Sequence, residues 1–106
     1  MPVWCVEERI AALYALGRFD AAIEAGRGLP FQTRRSRLYR AASRVALGDV
    51  DRARQIVAEA LVAAPDLTTA FVQRSELYRD EAVKRLLIDR LAEAGLPRPT
   101  AVAQAS

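Results

Sequence analysis

Residues 34–44 hold five arginines, Arg34, Arg35, Arg37, Arg40 and Arg44, and no acid. A guanidinium presents a planar fork of donors that matches a carboxylate or a phosphate two bonds at a time. At helical spacing Arg34, Arg37, Arg40 and Arg44 fall close to one face, with Arg35 nearby. That row is the chain's main candidate for binding, and its natural ligand is an acidic segment of a protein or peptide. A plainer account is a solvated helix face paired with acids of neighbouring helices. Arginine outnumbers lysine fifteen to one, and a coding bias toward GC-rich codons gives the same preference. Nucleic acid is the less favoured ligand: a basic patch binds phosphates without sequence preference, but Tyr39 is the one aromatic within the run available for stacking.

The composition removes several chemistries. There is no histidine and a single cysteine, Cys5. A Ser-His-Asp or Cys-His nucleophile cannot be assembled within this chain, and neither can the usual Cys/His zinc site. No clustered carboxylate pair suggests acid–base chemistry, and no cofactor is expected. Cys5 reads as an inert thiol, and a lone cysteine fits a reducing compartment. The start of the chain lacks the basic-then-apolar layout of a signal peptide. No apolar run approaches the roughly 20 residues of a membrane span. A cytoplasmic, non-membrane, non-enzymatic protein is expected. Trp4 is read first as a partly buried end of the first helix; its alternative role is an anchor for a neighbouring domain or subunit, since tryptophan is enriched at interface hot spots.

Helices must position these residues. The apolar share of 52% argues for a folded chain, and alanine and arginine are good helix formers. Apolar stripes at period 3.6 predict helices over residues 3–16, 21–28, 34–47, 50–64 and 66–77, and a sixth capped by Asp80 and ended by Gly95. Thr33 is placed as the N-cap of the third. The fourth carries Ala53, Ile56, Val57, Ala60 and Leu61 on one face. The sixth is expected to bury Val83, Leu86, Leu87 and Leu91, with Lys84, Arg85, Asp89 and Arg90 opposite. Residues 97–106 read as a disordered tail, leaving one domain over 1–96.

The strongest pattern is internal. ALGRFDAAIEA at 15–25 and ALGDVDRARQI at 46–56 align without gaps. Each has Leu-Gly, one residue, a bulky apolar residue, Asp, and then an alanine two positions on. Glycine makes the turn of a helical hairpin, and the alanine lets its two helices approach. Hairpins repeating at the Gly17-to-Gly48 spacing predict a stacked all-α fold. Leu47-Gly48, Ala53, Val57, Ala60 and Pro65, with Leu16-Gly17, Phe19 and Ala22 before them, resemble the tetratricopeptide repeat. First-helix positions where that family favours large apolar residues hold Arg9, Arg40, Arg44 and Arg74. Residues 64–97, with the Tyr78-Arg79-Asp80 turn and the ending Ala94 to Pro97, are similar to the tetratricopeptide segments that follow bacterial class III adenylate or guanylate cyclase domains. No cyclase domain is present in this sequence.

The resemblance implies three helical hairpins stacked as a short right-handed solenoid. Its implied function is protein–protein interaction as a regulatory or scaffold segment in bacterial signalling, or as the regulatory segment of a cyclase. First helices would face the partner, helix six would cap the stack, and the uncapped N-terminal end would dock on another domain or on a second copy.

Overall fold

Two turns that superimpose in sequence also superimpose in hydrogen bonding. In the first, Gly17 N donates to Tyr14 O at 2.9 Å and Arg18 N to Leu13 O at 2.9 Å. In the second, Gly48 N donates to Val45 O at 3.0 Å and Asp49 N to Arg44 O at 2.8 Å. Gly17 and Gly48 take φ values of 78° and 87°, the left-handed region that glycine enters at least cost. Gly95 ends the last helix the same way, with φ 101°.

The structure, a computed structural model, describes residues 2–99. It is all-α, with six helices and no strand among the described residues: α1 Val3–Ala15, α2 Phe19–Arg27, α3 Arg34–Ala46, α4 Val50–Ala63, α5 Thr69–Ser75 and α6 Glu81–Glu93. Among the described residues no helix is long and apolar enough to cross a membrane. Residues 100–106, most of the segment expected to be a tail, lie outside the described residues.

Capping fixes where the helices begin. Thr33 Oγ1 accepts from Ser36 N at 3.0 Å while Ser36 Oγ accepts from Thr33 N at 3.1 Å, a reciprocal box that satisfies two otherwise orphaned donors. Asp49, Thr68 and Asp80 cap α4, α5 and α6 with their side chains. The second helix starts earlier than the pattern predicts, at Phe19 rather than Ala21, and the Phe19 ring meets Tyr14 edge-on at 5.6 Å between centroids.

Helix α3 is the centre of the molecule. It packs against α1, α2, α4 and α6, and Ser36, Leu38, Tyr39, Ala41, Ala42 and Ser43 are buried along it. Its two buried serines are satisfied locally, Ser43 Oγ donating to Tyr39 O at 2.8 Å and Ser36 Oγ to Thr33 O at 3.1 Å. Ala22 and Ala53, the repeated alanines, have no exposed surface; a larger side chain there would push the helices of each hairpin apart.

The third hairpin folds back rather than running on. Helix α6 lies against α3, and Arg90 reaches α1, where Nη1 donates to Tyr14 Oη at 2.9 Å. Thr69 N donates to Pro97 O at 2.9 Å and Arg98 pairs with Asp89 at 2.9 Å, tying residues 97 and 98 to α5 and α6. The radius of gyration is 13.1 Å, that of a globule of about 100 residues. Helix α6 therefore covers part of α3, one of the first helices expected to face a partner.

Helix α6 is also rotated relative to expectation. Leu87 and Leu91 are buried as predicted, but Lys84 is 7% exposed and Leu86 47%. The buried side runs through Lys84, Leu87 and Leu91, with Ile88 packed beside them. A lysine tolerates this because its apolar stem can line the core while the ammonium reaches water.

Replacing Gly48 by Ala is expected to cost about 1 kcal/mol, since a Cβ meets nothing within 4 Å and only the left-handed backbone opposes it. Gly28→Ala, at φ −75°, is expected to be neutral or slightly stabilising. Urea unfolding of the two variants separates backbone strain from packing.

Candidate interaction site

The five arginines do not share one environment. Arg35 points inward: Nε and Nη2 bind the Glu76 carboxylate at 2.9–3.1 Å, and Nη1 binds Glu8 at 2.6 Å. Arg34 stacks over the Phe71 ring, 5.1 Å from its centroid, in an open cleft of about 410 Å³ that also holds Arg74. Arg44 faces Asp49 at 3.7 Å. Arg40 donates to Gln32 Oε1 at 2.7 Å. Among the described residues the Arg37 side chain makes no hydrogen bond or ion pair.

Helical geometry explains the division. At 100° per residue Arg37, Arg40 and Arg44 fall within about 60° of one another. Ser36 and Ala41, on either side of that strip, are buried. The three arginines thus occupy the half-buried part of α3 between α2 and α4. Arg34 lies at one edge, and Arg35 is turned toward the opposite side.

Arg40 is the most constrained of the three. Its stem lies so close to α2 that a Cβ on Gly26 would come 2.8 Å from Cδ, so any larger residue at that position has to displace the Arg40 stem. Its Nε is the one buried side-chain polar atom without a hydrogen-bond partner among the described residues. Burial, followed by the charges of Arg52, Arg27 and Arg44, lowers its pKa. Glu59 offsets part of this, while Glu24 is engaged by Arg27 and Asp49 by Arg44. The strip carries a surplus of cations held close together.

Behind α3 lies a polar network that no spacing in the sequence announces. Glu76 has 6% of its side chain exposed and accepts from Arg35, from Tyr39 Oη at 2.5 Å and from Ser75 Oγ at 3.2 Å. Tyr39 Oη also meets Tyr78 Oη at 2.7 Å. A hydroxyl has one hydrogen. Tyr39 gives its hydrogen to the carboxylate, so Tyr78 donates to Tyr39. Burial raises the Tyr39 pKa, and its bonds to Glu76 and Tyr78 raise it further. For Arg35, burial alone would lower the pKa, but the hydrogen bonds to Glu76 and Glu8 outweigh it and the net shift is upward. The one hint in the sequence is Arg35 itself, which stands off the helical row of the other four. Its partner Glu76 comes only after α4 and α5 have intervened in the chain.

Trp4 is 66% exposed, which corrects the preferred expectation of a partly buried helix end. It lies on the outer face of α1, with Ala12 and Ala15 also exposed. Among the described residues no group of three His, Cys, Asp or Glu side chains is placed to hold a metal ion. The site is thus a cationic strip on one side of α3 and an apolar face on α1, around an all-α core of helical hairpins. Compared with known protein families, curated proteins and solved structures, the chain matches none.

Arg35→Ala leaves Glu76 buried without its counter-charge and is expected to cost about 3 kcal/mol; Arg37→Ala is expected to stay within about 0.5 kcal/mol. Chemical denaturation of both checks the assignment. The raised Tyr39 pKa also has a signed consequence. The folded state favours the neutral phenol, so this contribution is complete below about pH 10, the ordinary tyrosine value, and is lost as pH rises above it. Unfolding free energy should fall through the alkaline range, and Tyr39→Phe should fall less steeply.

Proposed function

We propose that this chain is a non-catalytic protein–protein interaction module of the tetratricopeptide type, which docks an acidic segment of its partner on the strip between α2 and α4. The observation that carries this is the grouping of Arg40 with Arg27, Arg44 and Arg52: burial first, and then those three charges, disfavour the Arg40 cation, and its Nε has no hydrogen-bond partner among the described residues. A carboxylate-rich segment laid along the strip would relieve that repulsion and bring acceptors to a guanidinium fork. The repeated hairpin turns support the tetratricopeptide reading. A regulatory or scaffold role in bacterial signalling, in the cytoplasm, fits such a module. So does the role of a segment coupled to a class III cyclase domain, for which the Tyr78-Arg79-Asp80 turn and the glycine-ended last helix are the supporting features.

Nucleic acid is the competing ligand for the same charges. Against it stands Tyr39, the aromatic within the arginine run, which is buried and hydrogen-bonded through its hydroxyl and so offers no face for base stacking.

Fluorescence anisotropy with an end-labelled oligo-glutamate peptide tests the proposal. Binding is expected at about 0.05 M salt, weakening toward about 0.15 M. It should be lost in the Arg37→Glu, Arg44→Glu double variant with helical circular dichroism retained. Tighter binding of a single- or double-stranded oligonucleotide would replace an acidic protein by nucleic acid, and binding that survives the double variant would remove the strip from the account.

A further inference from the structure

Gln32 stands where the arginine strip meets the segment between α2 and α3, and its amide is held from two sides. Nε2 donates to Gly26 O at 3.1 Å. Ser36 Oγ, sharing its one hydrogen between Thr33 O and Gln32 Oε1, lies 3.2 Å from the amide oxygen. That oxygen also accepts from Arg40 Nη1 at 2.7 Å. Arginine has no acceptor, so the oxygen of the amide, and not its nitrogen, must face Arg40. The Arg40 stem is meanwhile packed on Gly26, where a Cβ would come 2.8 Å from Cδ. Gly26 thus receives both the stem of Arg40 and the amide of Gln32, and the arginine is fixed along its length and at its tip.

We propose that Gln32 is a positioning and specificity residue of the strip, a role that rests on the strip being the docking surface described above. It fixes Arg40 with a neutral oxygen, so the cation is oriented before a partner arrives and its charge is left for the partner's carboxylate. Two neighbours of Arg40 are met differently: Arg44 faces Asp49 and Arg27 pairs with Glu24, both carboxylates. Arg40 is held by a side chain of the same reach as glutamate that carries no charge, and its Nη2 makes no hydrogen bond among the described residues. Both halves of this arrangement bear on affinity. A long side chain already ordered in the free protein need not be ordered on binding. Residues whose own rotamers are locked by further hydrogen bonds, as Gln32 is by Gly26 and Ser36, hold a binding group most exactly. A glutamate would grip Arg40 as well, but it would neutralise the cation within the chain and repel an acidic segment.

Anisotropy with the same end-labelled oligo-glutamate at about 0.05 M salt compares the unaltered chain with Gln32→Met, Gln32→Glu, Arg40→Met and the Gln32→Met, Arg40→Met double variant, each checked by helical circular dichroism. Gln32→Met removes the amide at nearly constant shape and should weaken binding roughly fivefold. Gln32→Glu retains an acceptor for Arg40 and should weaken binding further than Gln32→Met. In the Arg40→Met background, Gln32→Met should change affinity by less than about twofold, because its effect runs through Arg40. A residue that only braced the segment between α2 and α3 would weaken binding equally in both backgrounds. Should Gln32→Met lose its helical signal, Gln32→Glu decides. An unaltered chain that does not bind overturns the strip, and the role of Gln32 with it. Binding that is unchanged in Gln32→Met, weakened equally in both backgrounds, or undiminished in Gln32→Glu leaves the strip standing and overturns the role of Gln32.

Discussion

A carboxylate taken out of water must be met by donors, and the Glu76 side chain is almost wholly enclosed. Much of the molecule follows from that constraint. Helix α5 stops after seven residues, and the backbone at Glu76 turns extended, φ −100° and ψ 114°, carrying the carboxyl group toward α3. Arg35 turns away from the other arginines to reach it, and in doing so also binds Glu8 on α1. Tyr39 and Tyr78 add their hydroxyls. One buried charge thereby joins α1, α3, α5 and the segment before α6, contacts that alanine packing alone would not specify. Such a charge is stabilising only while its partners are complete.

The repeat supplies the opposite kind of order, local and easily specified. Each hairpin turn is closed by a left-handed glycine and two backbone bonds to the preceding turn of helix. Each second helix then enters beside its partner through an alanine with no exposed surface. Helix α3 is shared between the two hairpins and closed on its remaining side by α6. What stays open is narrow, and the arginines along it have nowhere else to point. The cationic strip is thus a result of packing as much as of composition: three positions of a central helix are only half covered, and all three are arginine.

This explains what could be read from the sequence. The helices were legible because apolar periodicity, Thr33, Asp80 and the glycines at 17, 48 and 95 act over a few residues. The arrangement of hairpins α1–α2 and α3–α4 was legible because the same turn occurs twice. The orientation of α6 was not. Leu87 and Leu91 define its centre, but whether the buried side widens toward Val83 and Leu86 or toward Lys84 and Ile88 depends on α3, far away in sequence. The same holds for the arginines. Spacing placed Arg37, Arg40 and Arg44 together, but Arg35 was sorted from them by Glu76, an acid that no local pattern connects to it. Trp4 was misjudged because an aromatic residue at a helix start reads alike whether a neighbour covers it or not.

The fixed order of hydrogens in the tyrosine pair has an outward consequence. Tyr78 gives its proton to Tyr39, which gives its own to Glu76. With both protons committed inward, the Tyr78 hydroxyl offers only lone pairs to the groove that Tyr78 and Leu77 form with Ala11, Ala12 and Ala15 of α1. The chain of donors has a polarity, and its outer end is an acceptor. A carboxylate or carbonyl meets no donor at that hydroxyl, whereas a group that can only donate, such as an indole N–H, meets its complement.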